Sequence, residues 1–369
     1  MKIFYDHQIF CRQRYGGVSR YFHELASRIP RISGDEAKIF APFHINDYLV
    51  QGKVRQDVGR KLKAFPGSPF ALGLLDQLAG TLMVSPKRDV SIFHETYYSE
   101  SRYAPKAAKR LVTVYDMIHE LHPEAFPDDN RTKTLKRKAI ARADHVICIS
   151  ENTRKDLVEL CQVPARMISV VHLGSELTRQ SESKVVGPVM GSPFLLYVGG
   201  RTAYKNFNGL LRAYAGSSVL RNDFLLVCFG GGRFTSAEEE LMRSLDLSSR
   251  QVVSLQGSDE VLSALYSGAS ALVYPSFYEG FGIPPLEAMA HGCPVVCSNR
   301  SSVPEVVGDS ALLFDPSNIE QIASCVELVV SDTAWRQTLI SRGHVRAAQF
   351  SWDRCAHETL ATYKRVLLE

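Results

Sequence analysis

The feature that most constrains the fold of this chain is an alternation of short apolar runs with helical stretches, which occurs twice along the sequence. Strands that alternate with helices are typical of parallel sheets built from βαβ units. The sequence therefore predicts an α/β fold with two doubly wound, Rossmann-like domains. The predicted strands are Ile3–Tyr5, Ala37–Ala41, Ser91–His94, Leu111–Tyr115, Val146–Ile149 and Ile168–Val171 in the first half, and Phe194–Val198, Phe224–Phe229, Val252–Leu255, Ala271–Tyr274, Val295–Cys297 and Ala311–Phe314 in the second.

Length and composition predict where the domains divide. The chain has 369 residues, of which 45% are hydrophobic, so it is long enough for two domains that each bury a core. A polar stretch with Gly, Pro and Ser at about residues 174–192 is the predicted linker. We expect an N-terminal domain over residues 1–173, a second domain over residues 174–350, and an amphipathic C-terminal segment at residues 351–369.

Cysteine usage and hydropathy bear on the compartment. The 8 cysteines form no CxxC pair, and several lie in apolar runs, which favours buried reduced thiols in a cytoplasmic protein. No window reaches the roughly 18 uninterrupted apolar residues that a membrane span requires. The stretch Phe70–Val84 comes nearest, but Asp76 and Gln77 interrupt it.

Charge is distributed unevenly. Residues 1–175 carry 27 Lys and Arg against 19 Asp and Glu, a net charge of +8, whereas the remaining residues carry 16 against 20, a net charge of −4. Six basic residues and no acidic one occur in the run 131–142. Such a run is either a solvated helix face or a surface that docks on an anionic membrane. We expect no nucleic-acid partner.

Two carboxylates follow a predicted strand of the second half. Glu279 and Glu287 lie in the segment 274–290, which runs from the strand Ala271–Tyr274 through a loop rich in Gly and Pro into a helix over Leu286–Ala290. Ligands of open α/β sheets bind at such strand-to-helix junctions, where a helix N-terminus also offers free N–H groups. We predict that Glu287 falls within the first helical turn. The alternative is a solvated loop residue and a helix-dipole partner.

Two cations follow another strand. Arg201 and Lys205 come after Gly199 and Gly200, at the end of the strand Phe194–Val198 and ahead of a helix. A guanidinium and an ammonium at this place can stabilise the charge that develops on a diphosphate leaving group. The alternative is a surface pair that caps a helix.

Several segments together resemble the retaining glycosyltransferases of family 4. The resemblance is carried by PSFYEGFG, PPLEAMA and SVPEVVGD in this order within residues 256–316, and by MKIFYDHQIFCRQRYGGVSRYFHEL and YVGGRTAYKNFNGLLRAY nearer the N-terminus. It implies the GT-B architecture, in which two Rossmann-like domains face a cleft and the C-terminal helix packs back on the first domain. Among its members, the chain resembles bacterial mannosyltransferase-like enzymes of surface polysaccharide assembly.

The resemblance also implies roles for individual residues. Arg201 and Lys205 would grip the donor diphosphate, although the interval of four between them is shorter than in many members. Glu287 would bind the ribose, and Glu279 the hydroxyls of the transferred sugar. The other donor-site positions are Gly16 and Gly17 after the first strand, Gly200, Val261 beside the base, and Gly280, Phe281, Gly282 and Ile283 around the sugar.

One position departs from the family pattern. Many members have a histidine at the end of the strand Leu111–Tyr115, whereas this chain has Tyr115 followed by Asp116. Asp116 is therefore a candidate catalytic residue. Tyr115, His119 and His94 are candidates on the acceptor side, and His119 is also consistent with a plain polar loop residue.

Together with these residues, the resemblance implies a retaining hexosyltransferase that needs no metal and no cofactor. Its co-substrate would be a nucleotide sugar, with mannose or a mannose-derived sugar on GDP, and its acceptor a saccharide, expected to be lipid-linked at the cytoplasmic membrane face. Asp128 and Asp129 are interpreted as a turn or helix cap, not as metal ligands. A UDP-sugar donor and a sugar-nucleotide-binding scaffold without turnover are the alternatives. An oxidoreductase is disfavoured because no G-x-G-x-x-G fingerprint follows the first strand.

Overall fold

The computed structural model describes residues 1–50, 59–64, 67–87, 89–100, 103–127, 129–175 and 191–369. They form two compact units, one of Met1–Gly174 with Trp352–Glu369 and the other of Ser175–Ser351. Most of the predicted linker lies outside the described residues.

The first unit is built on a sheet of six parallel strands in the spatial order β2-β1-β5-β6-β7-β8, and β3 pairs separately with β4. The strands are β1 (Lys2–Tyr5), β2 (Glu36–Ile39), β3 (Phe43–His44), β4 (Arg60–Lys61), β5 (Ile92–Glu95), β6 (Lys109–Val114), β7 (His145–Cys148) and β8 (Ile168–Val170). The helices between them are α1 (Gln8–Arg12), α2 (Gly17–Ser33), α3 (Ser68–Met83), α4 (Ile118–Leu121), α5 (Asn130–Arg142) and α6 (Glu151–Cys161).

The second unit also has six parallel strands, in the order β11-β10-β9-β12-β13-β14. They are β9 (Phe194–Val198), β10 (Leu225–Phe229), β11 (Val252–Leu255), β12 (Ala271–Tyr274), β13 (Val295–Ser298) and β14 (Leu312–Phe314). The helices are α7 (Phe207–Gly216), α8 (Ser218–Asp223), α9 (Ser236–Ser244), α10 (Asp259–Gly268), α11 (Ile283–Ala290), α12 (Val303–Val307), α13 (Ile319–Ser331) and α14 (Thr333–Ala347). Short 3-10 helices lie at Tyr48–Val50, Pro123–Ala125, Ala165–Met167 and Ala203–Lys205.

The predicted strands are confirmed with shifts of one or two residues at their ends. The central strands β9 and β12 are buried at every position, as parallel strands covered by helices on both faces should be. Continuous apolar runs such as Phe194–Val198 and Ala271–Tyr274 therefore give the most reliable predictions.

The last helix, α15 (Trp352–Leu368), belongs to the first unit, where it packs on α2. Trp352 and Tyr363 on α15 are almost completely buried. At the surface, Arg28 and Asp353 form an ion pair at 2.6 Å.

Strand order shows where each sheet can bind a ligand. In each sheet the first strand along the chain has its successors on both sides, so the direction of winding reverses next to it. This switch point lies between β1 and β5 in the first unit and between β9 and β12 in the second. Ligands of open α/β sheets bind in the crevice outside the carboxyl ends of the strands at such a point.

Candidate functional site

The loops that follow β9 and β12 meet at the switch point of the second unit. Asn206 joins them: it has a left-handed backbone with φ of 54°, and its side-chain amide donates hydrogen bonds to the carbonyls of Pro275, at 3.2 Å, and Pro316, at 2.7 Å. The Phe277 N–H also donates to the Tyr204 carbonyl at 2.8 Å. The loop of Arg201 and Lys205, which we call the cation loop, therefore forms one structure with the loop of Glu279, which we call the carboxylate loop.

Lys205 and Glu279 form an ion pair where these loops meet. The Lys205 ammonium lies 2.6 and 2.8 Å from the two carboxylate oxygens of Glu279, and the Glu279 side chain is only 10% exposed. The Tyr274 hydroxyl is hydrogen bonded to the same carboxylate. Burial and the neighbouring carboxylate raise the pKa of Tyr274 well above its usual value, so the phenol keeps its proton and acts as the donor.

The backbone after Glu279 is fixed by two serines at the start of α12. The Ser302 hydroxyl lies 2.8 Å from the carbonyls of both Glu279 and Phe281, and the Ser301 hydroxyl contacts the backbone of Glu279. Gly282 follows with φ of 120°, a conformation that favours glycine, and is the N-cap of α11. Gly280, Phe281, Gly282 and Ile283 thus form the bend that leads from the carboxylate into the helix.

Glu287 lies on α11, but the prediction that it falls within the first turn is wrong. The helix begins at Ile283, three residues before the predicted start, because prolines such as Pro284 are tolerated at first-turn positions, where the N–H has no helical partner. Glu287 is buried, and its carboxylate accepts a hydrogen bond from the Tyr266 hydroxyl at 3.1 Å. It is therefore a fixed acceptor in the core of the site and not a helix-dipole partner.

Arg201 occupies a place that sequence reasoning did not predict. Its side chain is 3% exposed, and Nε donates to Glu238 at 2.8 Å. Nη1 and Nη2 donate to carbonyls of the loop after β10, namely those of Gly230, Gly231, Gly232 and Arg233, at 2.7 to 3.3 Å. In this structure the Arg201 guanidinium therefore binds a protein loop, whereas the sequence predicted that it contacts the donor diphosphate directly.

The sequence analysis did not single out the loop that Arg201 holds. Gly230, Gly231 and Gly232 all have positive φ, and a Cβ on Gly231 would lie 2.8 Å from Arg201 Nη1. Three consecutive glycines directly after a buried strand are a visible signal, since glycine permits both the backbone conformation and the close approach.

Gly200 lies on the neighbouring loop, where its carbonyl accepts from the Tyr197 hydroxyl at 2.6 Å. Val261 lies on α10 and is 42% exposed.

His94 is corrected from an acceptor-side candidate to a core residue. It is completely buried on β5, with Nδ1 2.6 Å from the Tyr363 hydroxyl of α15 and Nε2 2.9 Å from the Thr113 hydroxyl. Burial lowers the pKa of His94 to about 3, so the ring is neutral at physiological pH. Because both ring nitrogens have protein partners, His94 has nothing to offer an acceptor.

The remaining candidates of the first unit lie near the carboxyl end of β6. The hydroxyl of the buried Tyr115 donates to the Thr96 carbonyl at 2.8 Å, which also makes it a packing residue. Asp116 is partly exposed, and its carboxylate accepts from the Ile118 N–H at 3.1 Å. His119 stacks on Phe126 with ring centroids 4.3 Å apart. Asp116 therefore keeps a surface that a substrate can reach, whereas Tyr115 does not.

Gly16 is the N-cap of α2, and Gly17 is the first residue of this helix. The Ser19 N–H of the first turn is bound by the Gln13 side chain at 3.2 Å. Both glycines are therefore placed after the first strand at a helix N-terminus, as predicted, while a role toward a diphosphate remains a prediction.

The basic run 131–142 forms most of α5, but it is not a uniformly solvated face. Lys136 is completely buried and lies 2.8 Å from Glu120. Lys138 lies 2.5 Å from Glu100, and Arg142 pairs with the buried Glu95. The interpretation of the run as a solvated helix face is therefore wrong for Lys136, while the docking of its exposed cations on an anionic membrane stays a prediction.

Three further findings concern metals, cysteines and membranes. In the parts of the chain that the structure describes, no group of three or more His, Cys, Asp or Glu side chains is arranged to hold a metal ion. Asp129 caps α5 by accepting from the Thr132 N–H at 3.0 Å, while Asp128 lies outside the described residues. All eight cysteines are free, and six of them are buried. None of the helices in the described ranges has the length and apolarity that crossing a membrane would take.

Two family models match the two halves of the chain. Residues 178–346 match the model of the glycosyl transferases group 1, and residues 15–179 match that of glycosyltransferase family 4. The O-antigen chain mannosyltransferase B of Escherichia coli is 30% identical over 94% of this chain and 96% of its own length.

Solved structures show the same fold. The sucrose-phosphate synthase of Thermosynechococcus elongatus covers all of this chain and all of its own, with a TM-score of 0.77 and 20% identity. The Anabaena protein HepE, solved in complex with UDP and glucose, covers 99% of both chains, with a TM-score of 0.73 and 19% identity. With its two parallel-sheet α/β domains of the GT-B type and a relative that matches it nearly end to end, the chain belongs to family 4 of the glycosyltransferases.

Proposed function

We propose that this protein is a retaining hexosyltransferase that moves mannose, or a mannose-derived sugar, from a GDP-linked donor to a saccharide acceptor in surface polysaccharide assembly. The observation that carries the proposal is the Lys205–Glu279 ion pair at the switch point of the second unit, with Glu287 buried on the following helix. The choice of mannose is supported by the relative named as an O-antigen chain mannosyltransferase.

The ion pair matches the chemistry of a nucleotide sugar. Such a donor carries hydroxyl groups and a phosphate on neighbouring parts of the molecule, and Glu279 and Lys205 present an acceptor and a cation 2.6 Å apart. Donor binding would therefore exchange the ion pair for two new contacts, with sugar hydroxyls on Glu279 and diphosphate oxygens on Lys205. Glu287 would accept hydrogen bonds from the ribose hydroxyls, and Val261 would lie beside the base.

Arg201 would act on the donor through the loop that it holds. By binding four consecutive carbonyls, the guanidinium fixes the backbone of Gly230–Arg233 next to the cation loop. Because this backbone is already fixed, the groups of the loop that would face the phosphate need not reorganise during the reaction. In this proposal Lys205 supplies the charge and Arg201 is a positioning residue.

Retention and metal independence are parts of the same proposal. If Glu279 binds hydroxyls, it is not free to serve as a covalent nucleophile, so transfer on the face from which the diphosphate leaves is the preferred route to retention. The positive charge of Lys205 would stabilise the leaving diphosphate. Turnover should then persist in EDTA, and the product should keep the anomeric configuration of the donor.

A donor panel tests the proposal. GDP-mannose, GDP, UDP-glucose and UDP are compared by thermal shift and then by product formation on saccharide acceptors. We expect stabilisation by GDP-mannose and GDP, because a ligand at about 100 times its Kd adds about 2.7 kcal/mol. Stabilisation by the UDP compounds alone would mean that the donor is a UDP-sugar and not a GDP-sugar. Binding without turnover on any acceptor, including lipid-linked ones, would favour a scaffold protein.

The acceptor is proposed to be lipid-linked and to be met at the anionic cytoplasmic face of a membrane. This part rests on the +8 charge of residues 1–175, which an anionic surface attracts. Half of the cations of the 131–142 run are engaged within the first unit, so the contact with lipid would use the remaining cations of the run together with other basic residues of that unit.

A further inference from the structure

We propose that Tyr266 is a positioning residue for the nucleotide part of the donor. Its hydroxyl fixes the carboxylate of Glu287, and the fixed carboxylate makes the site prefer a ribonucleotide to the corresponding deoxyribonucleotide. The proposal rests on the proposed function, in which Glu287 accepts hydrogen bonds from the ribose hydroxyls. It deepens that function, because it names the residue that orients the carboxylate and the part of the substrate that is selected.

The contact joins two buried side chains of the second unit. Tyr266 lies in the last turn of α10 and is completely buried, and Glu287 lies in the second turn of α11 and is 7% exposed. The Tyr266 hydroxyl lies 3.1 Å from Glu287 Oε2. Burial and the neighbouring Glu287 carboxylate raise the pKa of Tyr266 well above its usual value, so the phenol keeps its proton and is the donor.

A second pair of buried side chains fixes the backbone of Glu287. His291 Nδ1 lies 2.7 Å from the Glu287 carbonyl, and this nitrogen is the donor because a carbonyl oxygen only accepts. His291 Nε2 lies 2.7 Å from the Ser263 hydroxyl, from which the neutral ring accepts. Ser263 and Tyr266 are three residues apart on α10, so one face of this helix holds both the backbone and the side chain of Glu287.

A neutral donor suits a carboxylate that binds hydroxyl groups. A phenol orients the carboxylate without adding a positive charge beside it, so the negative charge remains available to strengthen hydrogen bonds from the ligand. A carboxylate can accept from two adjacent hydroxyls, such as those at 2′ and 3′ of ribose, when its plane is turned correctly. The side chain of Glu287 rotates about several bonds and must therefore be held, which the Tyr266 hydroxyl does.

Stability alone does not account for this polar pair. Replacing both partners of a buried hydrogen bond by apolar groups of the same shape is nearly neutral or stabilising, because the desolvation cost disappears. The core of the second unit could therefore be built with apolar side chains at positions 266 and 287. A site that binds its ligand in one orientation, by contrast, needs side chains that are locked by supporting hydrogen bonds.

The test compares two nucleotides that differ only in the ribose hydroxyls, GDP and 2′,3′-dideoxy-GDP. Calorimetry measures the Kd of both for the unmodified full chain and for Tyr266→Phe, which keeps the ring. The unmodified protein should bind GDP about 100-fold more tightly than dideoxy-GDP, since each hydroxyl–carboxylate contact contributes about tenfold. Tyr266→Phe should weaken GDP binding about tenfold and leave dideoxy-GDP binding nearly unchanged, because Tyr266 acts only on the ribose contact.

A double variant and a matched control separate positioning from packing. In Tyr266→Phe/Glu287→Ala the loss of GDP affinity should equal that of Glu287→Ala alone, because Tyr266 acts through Glu287. The control is Tyr214→Phe, since Tyr214 is a buried tyrosine of the same unit whose hydroxyl donates to the Phe224 carbonyl at 2.7 Å. Tyr214→Phe should lower the free energy of unfolding but leave the preference for GDP over dideoxy-GDP unchanged.

The outcomes distinguish this inference from the proposed function. Unchanged GDP affinity in Tyr266→Phe, equal losses for GDP and dideoxy-GDP, or additive losses in the double variant would make Tyr266 a packing residue and overturn the inference alone. If UDP binds and GDP does not, the proposed donor nucleotide is wrong, and UDP with 2′,3′-dideoxy-UDP gives the same decision on Tyr266. If the unmodified protein binds GDP and dideoxy-GDP equally well, or binds no nucleotide, the proposed ribose contact of Glu287 fails and the inference fails with it.

Discussion

At the scale of single residues, the site depends on which charges are already paired within the protein. Glu279 is balanced by Lys205, whereas Glu287 accepts from the neutral Tyr266 hydroxyl. The two carboxylates are thus held by different means and should respond differently to substitution. A carboxylate that orients the transferred sugar affects turnover, whereas a carboxylate that binds the ribose affects the affinity for every nucleotide ligand.

The first prediction compares Glu279→Ala with Glu287→Ala. Glu279→Ala should lower turnover by about 10²–10³-fold, as the loss of one oriented contact in the transition state does, while GDP affinity stays nearly intact. Glu287→Ala should weaken GDP binding as well as turnover. Calorimetry with GDP and initial-rate kinetics measure the two effects. Equal losses of GDP affinity would refute this division of roles.

The second prediction concerns Arg201, whose partners all belong to the protein. Arg201→Met would leave the buried Glu238 and the glycine-loop carbonyls without their donor, which should cost about 3–5 kcal/mol in the free energy of unfolding. Urea unfolding measures this cost. The matched control is Arg300→Met, which removes a guanidinium that is largely exposed and, among the described residues, forms an ion pair with Asp315. Unchanged stability together with lost turnover would instead make Arg201 a direct ligand of the donor.

At the scale of elements, the buried strands could be predicted and the helix starts could not. Runs such as Ala271–Tyr274 are apolar at every position because both faces of a parallel sheet are covered, and this signal is local. The start of α11 was misplaced because two prolines look like a boundary from sequence alone. In the structure they occupy the first turn, where the missing N–H costs nothing.

Pairings across the chain account for the other errors. His94 follows the pattern of a ligand-binding residue at a strand end, and only the return of α15 to the first unit provides Tyr363 as its partner. Lys136 belongs to a basic run, and only the fold brings Glu120 to it. Arg201 and Lys205 share one loop, yet Arg201 binds the loop after β10, whereas Lys205 binds Glu279. Sequence reasoning could not assign these partners, because each of them comes from a distant part of the chain.

The third prediction tests the attachment of α15. Tyr363→Phe removes the hydroxyl that binds His94 Nδ1 and leaves that nitrogen buried without a partner, which should cost about 1–3 kcal/mol. Leu368→Ala, at the 89% exposed end of the same helix, should cost almost nothing. Urea unfolding of both variants measures these two changes in the free energy of unfolding. A Tyr363→Phe variant as stable as the unmodified protein would mean that water or a rearranged threonine replaces the tyrosine.

The fourth prediction concerns pH and the same histidine. Burial lowers the folded-state pKa of His94 to about 3, against about 6.5 in the unfolded chain. Between these values the unfolded state binds the proton, so the contribution of His94 to stability is lost as the pH falls, by at most about 1.4 kcal/mol per pH unit. The free energy of unfolding of His94→Gln should therefore fall less steeply between pH 6 and pH 4. Parallel curves for the two proteins would show that His94 takes up its proton while folded.

At the scale of the whole molecule, charge and apolar surface divide between the two sheets. Residues 1–175 carry the net charge of +8 and the exposed face of α3, while the second half is acidic and holds the donor candidates. Two sheets with similar winding thus present switch points of different chemistry, one lined by Arg12 and Arg131 beside apolar side chains and the other with a lysine–carboxylate pair. This difference supports the proposal that the acceptor is lipid-linked.

The last prediction follows from that division and concerns vesicle binding. Cations near an anionic leaflet contribute about 1 kcal/mol each, and the apolar face of α3 adds buried area, so the protein should sediment with vesicles that contain anionic lipid. High salt should weaken the attachment, because screening shortens the range of the electrostatic attraction. The variant Leu78→Ser/Leu82→Ser should reduce it further, since those side chains are 58% and 77% exposed on α3. Arg137→Gln and Val345→Ser should bind nearly as well as the unmodified protein. Equal recovery with neutral vesicles, or full binding by the α3 variant, would mean that this face does not meet lipid and that the protein reaches its acceptor from solution.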